Sequence, residues 1–142
     1  MNLSNSFTLE QFTFSDTAKR RGLDNTPSAD QIVNLTDLAQ ALERVQQLLG
    51  PLVIHSAFRS PKVNAAVGGS PTSAHMEGYA ADFTCPAYGT PLQVCQAITA
   101  SDIPWDQIIY EYESWCHLSI DPRTRKMVLT KRSGEPYEEG LT

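Results

Sequence analysis

No stretch of this sequence stays apolar for long enough to cross a membrane, which argues against a transmembrane helix and any stable membrane association. Nor is there a block of basic residues. Eleven Lys and Arg stand against 16 Asp and Glu, a formal net charge of −5, so the electrostatic footprint of a nucleic-acid binder is missing. Cysteine is scarce: Cys85, Cys95 and Cys116 are odd in number and none has Cys-x-x-Cys spacing. A disulfide framework is therefore excluded, and buried free thiols are expected. The opening residues, MNLSNSFTLEQF, lack a charged leader followed by an apolar run, so synthesis in the cytoplasm without a signal peptide is the expectation. Internal repeats and linker-like stretches are absent as well.

What remains has the proportions of one globular domain. The 142 residues are 41% hydrophobic and 19% charged, enough to enclose a real core. Thr8 and then Ser15 or Asp16 are start signals for one or two short helices that carry Leu9, Phe12 and Phe14 and end at Gly22. From Ser28 to Leu49, Ile32, Leu35, Leu38, Leu42, Val45 and Leu49 recur at steps of three and four, which predicts a long amphipathic helix stopped by Gly50-Pro51. LVIHSAF (52–58) predicts a strand, KVNAAVGG a short helical piece, and GGSPTSA (68–74) a flexible loop. YAADFTC (79–85) predicts a second strand and TPLQVCQAITAS a helix. DQIIYEY and WCHLSI predict two strands around a turn near Glu113-Ser114, with KMVLT as a last strand. The polar residues from Lys131 to Thr142 predict a frayed C-terminal tail. Helices first, then strands with one intervening helix, predict a single α+β domain over 1–142 with a mostly antiparallel central sheet flanked by helices.

The chemistry concentrates in SAHMEGYAAD (73–82), which sets His75 and Asp82 seven positions apart with Gly78 between them. An imidazole and a carboxylate are two of the three protein ligands that a catalytic zinc takes while keeping a fourth position for water. The same pair also suits a buried His–Asp hydrogen bond with no metal. A third ligand should lie on a neighbouring strand. His117 in WCHLSI is the candidate, since the only other histidine is His55, which is read as structural.

SAHMEGYAAD followed by the Trp-x-His of WCH resembles the zinc D-alanyl-D-alanine carboxypeptidase family, whose members carry Ser-x-His-x-x-Gly-x-Ala-x-Asp and a later Trp-x-His. FTFSDTAKRRGLDNTPS, SAFRSPKVNAAVGGSPTSAH and DQIIYEYESWCHLS extend the resemblance from about Phe7 to Ser119, to the compact branch found in phage and bacterial peptidoglycan peptidases. The resemblance implies the hedgehog/DD-peptidase fold and a zinc cofactor (Zn2+) held by His75, Asp82 and His117. It further implies that Arg59, in the FRSP turn, holds a substrate carboxylate and that Ser73 contacts substrate or a zinc ligand. A guanidinium suits the first role, because it offers paired donors and stays charged. A structural ion pair for Arg59 and a loop cap for Ser73 are the plainer readings.

The implied activity is zinc-dependent hydrolysis of a peptide bond in a peptidoglycan stem peptide, either as a carboxypeptidase or as an endolysin-type endopeptidase acting at the bacterial cell wall after phage-type release. A carboxylate must move the proton. Some relatives place a glutamate three positions before the last histidine, but Ser114 stands there, leaving Glu111 and Glu113. A turn with an odd number of residues, such as 112–114, puts Glu111 and His117 on one side of the sheet; a two-residue turn at Glu113-Ser114 puts them on opposite sides. Glu111 also matches the acid of the compact branch's Tyr-Glu block and is the expected general base. Trp115 is expected to pack beside the site, and Tyr110 and Tyr112 are left outside it. The competing expectation is a zinc-stabilised binding module on the same fold, as in signalling domains of the hedgehog type.

Overall fold

The computed structural model describes all of residues 1–142. Its helices begin where side-chain oxygens can satisfy free backbone N–H groups. Thr8 caps α1 (Leu9–Thr13) in a reciprocal capping box with Gln11, and Ser15 caps α2 (Asp16–Arg21), which Gly22 closes in the left-handed conformation. Ser28 and Gln31 form a second capping box ahead of α3 (Ala29–Leu49), which ends at Gly50. One stripe of α3 (Leu35, Leu38, Leu42, Val45) is wholly buried, as its spacing dictates. None of the helices is long and apolar enough to cross a membrane.

After α3 the chain forms β1 (Val53–Ser56), α4 (Pro61–Ala66), a 3-10 turn (Ala74–Glu77), β2 (Ala80–Thr84), α5 (Pro91–Thr99), β3 (Gln107–Glu111), β4 (Trp115–Ser119), β5 (Met127–Lys131) and β6 (Glu138–Glu139). The strands make one six-stranded sheet in the order β1-β2-β4-β3-β5-β6. All pairs are antiparallel except β3–β5. The exception follows from β5 returning past β4 to lie on the far side of β3. Asp106, fully buried, anchors that return by accepting from the backbone N–H, Nε and Nη2 of Arg125 and from the Ser119 hydroxyl.

Because side chains alternate along a strand, the sheet has two chemically different faces. Ala81, Phe83, Ile108, Tyr110, Cys116 and Leu118 point into the core formed with α3 and α5. The opposite face carries Asp82, Ile109, Glu111, His117 and Leu129 along a cleft. Cys85, Cys95 and Cys116 are buried free thiols, as expected.

The C-terminal segment differs from its expected fraying. Glu138 and Glu139 pair with Thr130 and Leu129, the Gly140 N–H donates to the Val128 carbonyl, and the Thr130 hydroxyl donates to the Gly140 carbonyl at 2.7 Å. The exposed edge of β5 needs backbone partners and finds them here, in a pairing of only two residues with no apolar alternation to announce it.

Candidate metal centre

His75 is placed by a turn rather than a strand. Ser73 caps the 3-10 turn, its hydroxyl accepting from the His75 N–H at 3.2 Å, and Gly78 ends it at φ +83°. The turn is clamped to α3, where Gln31 Nε2 donates to the Met76 carbonyl at 3.1 Å and Asn34 Nδ2 to the Glu77 carbonyl at 2.8 Å. A Cβ on Gly78 would stand 2.9 Å from the Gln31 carbonyl oxygen, so glycine is required both by conformation and by space. Asp82 follows on β2, and the register places His117 of β4 directly opposite it.

Three buried donors converge. Asp82 Oδ1 lies 3.2 Å from His75 Nε2 and 2.9 Å from His117 Nδ1, and all three donor atoms fall within 4.8 Å of one another. Donors on a tetrahedral zinc with bonds of about 2.0 Å sit about 3.3 Å apart, so the spacing is that of a metal site. The proton positions favour the same conclusion. His75 Nδ1 is 2.6 Å from the Ala57 carbonyl, which can only accept, so Nδ1 carries the hydrogen. In the neutral ring, Nε2 then aims a lone pair at a carboxylate oxygen, a contact that needs a proton or a metal cation between the two. The Ala57 carbonyl thereby selects the tautomer in which His75 ligates through Nε2.

The electrostatics of the cluster reflect the same crowding. Burial alone would raise the Asp82 carboxyl, but the His75 and His117 imidazoles outweigh it and hold the group far below the usual carboxylate range. Burial would lower His117, yet its hydrogen bond to Asp82 and the charges of Asp82 and Glu111 raise it. Without a metal the cluster keeps a proton; a divalent cation can replace it.

Around this centre the cleft encloses about 1000 Å³. The β3–β4 turn has three residues, 112–114, because Glu111 pairs with Trp115. Glu111 therefore faces the same side as His117, its Oε1 lying 3.8 Å from His117 Nδ1 and accepting a hydrogen bond from Trp115 Nε1 at 2.9 Å. Glu113 points away, pairing at the surface with Arg132 at 3.4 Å. Arg59 reaches the cleft from the loop after β1. Its Nη2 donates to the Ser73 hydroxyl at 3.3 Å, while its Nε is buried with no partner.

A family model for Peptidase M15 matches residues 5–119. The chain belongs to the M15 peptidase family. That family is the zinc D-Ala-D-Ala carboxypeptidase-like one, and its members are zinc-dependent, in keeping with the donor set of His75, Asp82 and His117. As an M15 peptidase the chain is a metallopeptidase that takes a peptide substrate. No curated protein matches the chain.

Several lining residues of this M15 cleft were not legible as such. His55 is on its rim, Nε2 2.8 Å from the Thr84 hydroxyl, and takes no part in the donor cluster. Tyr110 faces the core, but Tyr112 lines the cleft, in the left-handed region at φ +55°. Tyr137, from the segment read as a tail, lines it too. Tyr112 could have been found from an odd-numbered turn after Glu111; Tyr137 carries no local signal.

Proposed function

We propose that the chain hydrolyses a peptide bond in a peptidoglycan stem peptide, next to a free carboxylate, with zinc held by His75, Asp82 and His117. The observation that carries this reading is the position of Glu111: a carboxylate in the cleft, on the face of the sheet that carries His117 and 3.8 Å from its Nδ1. Zinc, when bound, supplies a Lewis acid that makes water acidic near neutral pH and polarises a carbonyl. The Trp115 N–H fixes Oε1 of Glu111 and leaves Oε2 free to take the proton of the attacking water and return it to the leaving amine. Arg59, with its unpartnered Nε and an Nη2 on Ser73, holds the carboxylate of the substrate in reach. The Ala57 carbonyl, on Nδ1 of His75, turns the bare Nε2 of that ring toward Asp82 Oδ1, on which His117 Nδ1 also converges.

A peptidoglycan substrate puts the site of action at the bacterial cell wall, and a phage-type lytic role fits such an activity. The test is mass spectrometry of purified muropeptides digested with and without a chelator, beside a His75→Ala variant. Loss of a terminal D-alanine or of a cross-link is expected from the wild type alone, and only without chelator. Cleavage that survives both chelation and His75→Ala would refute the reading. Zinc near one per chain with no cleaved product would instead favour a zinc-stabilised binding module.

A further inference from the structure

The loop between β1 and α4, residues 57–60, carries two groups that the cleft depends on. The Ala57 carbonyl accepts from His75 Nδ1 at 2.6 Å, and Arg59, two residues further on, reaches into the cleft. Backbone groups in such a loop have no strand partner, so other parts of the chain must satisfy them. The upstream half is met by backbone, the Phe58 N–H donating to the Phe12 carbonyl at 2.8 Å. The downstream half is met by one side chain from a distant segment, Asn25.

Asn25 lies in the turn-rich stretch between α2 and α3, in no helix or strand. Its Nδ2 donates to the Thr13 carbonyl, at the end of α1, at 2.8 Å and to the Phe58 carbonyl at 3.2 Å. Its Oδ1 accepts from the Ser60 N–H at 2.7 Å. These partners fix the orientation of the amide, since a carbonyl only accepts and an N–H only donates. The carboxamide thus grips the chain on both sides of Arg59, one residue before it and one after. A neighbouring contact tightens the grip, the Ser60 hydroxyl donating to the Asp24 carbonyl at 2.9 Å. Arg59 then spans from this grip to the turn that carries His75. Its N–H donates to the His75 carbonyl at 3.2 Å and its Nη2 to the Ser73 hydroxyl at 3.3 Å. Aspartate at position 25 would keep the acceptor and lose both donors, and glutamine would set the amide one methylene away from all three partners.

We propose that Asn25 is a positioning residue for substrate binding, its carboxamide holding the Phe58–Ser60 backbone so that the Arg59 guanidinium meets the substrate carboxylate. The proposal rests on the peptidase reading above, in which Arg59 holds that carboxylate, and adds the residue that acts through it. Because the Phe12 carbonyl anchors the Ala57–Phe58 end independently, loss of the Asn25 grip moves Arg59 and spares the metal centre. The consequence is a defect in binding, with zinc and turnover kept.

The experiment is a double-mutant cycle on zinc-loaded full-length protein, read as kcat, KM and zinc content with the muropeptide that the wild type cleaves. Arg59→Ala is expected to raise KM about thirtyfold through loss of a charge-assisted contact. Asn25→Ala is expected to raise KM about tenfold, with kcat within about twofold of wild type and zinc content unchanged. In the Arg59→Ala background, Asn25→Ala is expected to change KM by less than about twofold, because the group it positions is gone. Asn25→Gln, which keeps the amide but displaces it, is expected to show the same pattern and replaces the alanine variant should that fail to fold. A further rise of about tenfold in the Arg59→Ala background overturns the proposal, because independent effects add. An unchanged KM in both Asn25 variants, or a fall in kcat or zinc content without a change in KM, overturns it as well. Each of these outcomes leaves the peptidase reading intact. An unchanged KM in Arg59→Ala removes the group through which Asn25 acts and overturns the proposal too. A wild type that cleaves no muropeptide overturns the substrate reading and the proposal with it.

Discussion

Replacing Gly78 with alanine strikes the joint between two candidate ligands without touching either. Two costs add. Alanine must occupy φ +83°, which costs about 1–2 kcal/mol for an L-residue. Its Cβ must also stand 2.9 Å from the Gln31 carbonyl oxygen and 3.2 Å from the Leu35 side chain, both on the packed face of α3, and relieving such overpacking costs about 1–3 kcal/mol. The stiffer unfolded chain of the variant offsets about 0.4–1 kcal/mol of this, because alanine has less conformational entropy to lose on folding. A loss of about 3 kcal/mol is expected, which for a domain of this size lowers Tm by about 9 °C. Relief by moving the 3-10 turn away from α3 would break the Gln31–Met76 and Asn34–Glu77 hydrogen bonds and displace His75, so zinc affinity should fall as well. Gly134→Ala is the internal control: φ is +74° but no atom lies within 4 Å, so only the conformational cost applies. Calorimetric melts of both variants with and without zinc measure the difference. If Gly78→Ala melts no lower than Gly134→Ala, the claim that close approach to α3 positions His75 is wrong.

Other outcomes follow from the same geometry. Glu111→Gln keeps the size of the side chain and an acceptor for Trp115 but removes the base; kcat should drop about a thousandfold with KM and zinc content little changed, and retention of kcat within tenfold would remove Glu111 from the proton transfer. Asp106→Asn should cost about 2 kcal/mol at neutral pH through its bonds to Arg125. Burial raises the Asp106 carboxyl, but the Arg125 hydrogen bonds outweigh this and depress it, so its contribution is fully present above the unfolded value near pH 4 and is lost as pH falls through the lower folded value. Urea midpoints of wild type and Asp106→Asn should therefore differ by a constant amount from pH 6 to 8 and converge in acid; a gap that stays constant down to pH 2 contradicts the assignment.

Much of the fold was legible because its signals are local. The stripe of α3, the caps at Thr8, Ser15 and Ser28, and the alternation in DQIIYEY and WCHLSI each depend on residues a few positions apart. Where the pairing is short or the partner distant, the sequence was silent. The β6 pairing involves two residues, and Tyr137 reaches the cleft only because β5 crosses to the far side of β3. Trp115 read as packing beside the site, but its hydrogen bond to Glu111 depends on the length of the turn between them.

The sequence by itself determined the donor types, the α+β class and the family, because residue identity and short-range spacing encode them. Only the tertiary structure decided the turn of three residues that turns Glu111 toward His117 and Glu113 away, since strand register depends on pairing across the sheet. It also decided the tautomer of His75. The group that selects it is a backbone carbonyl, Ala57, which every residue carries and no side chain announces.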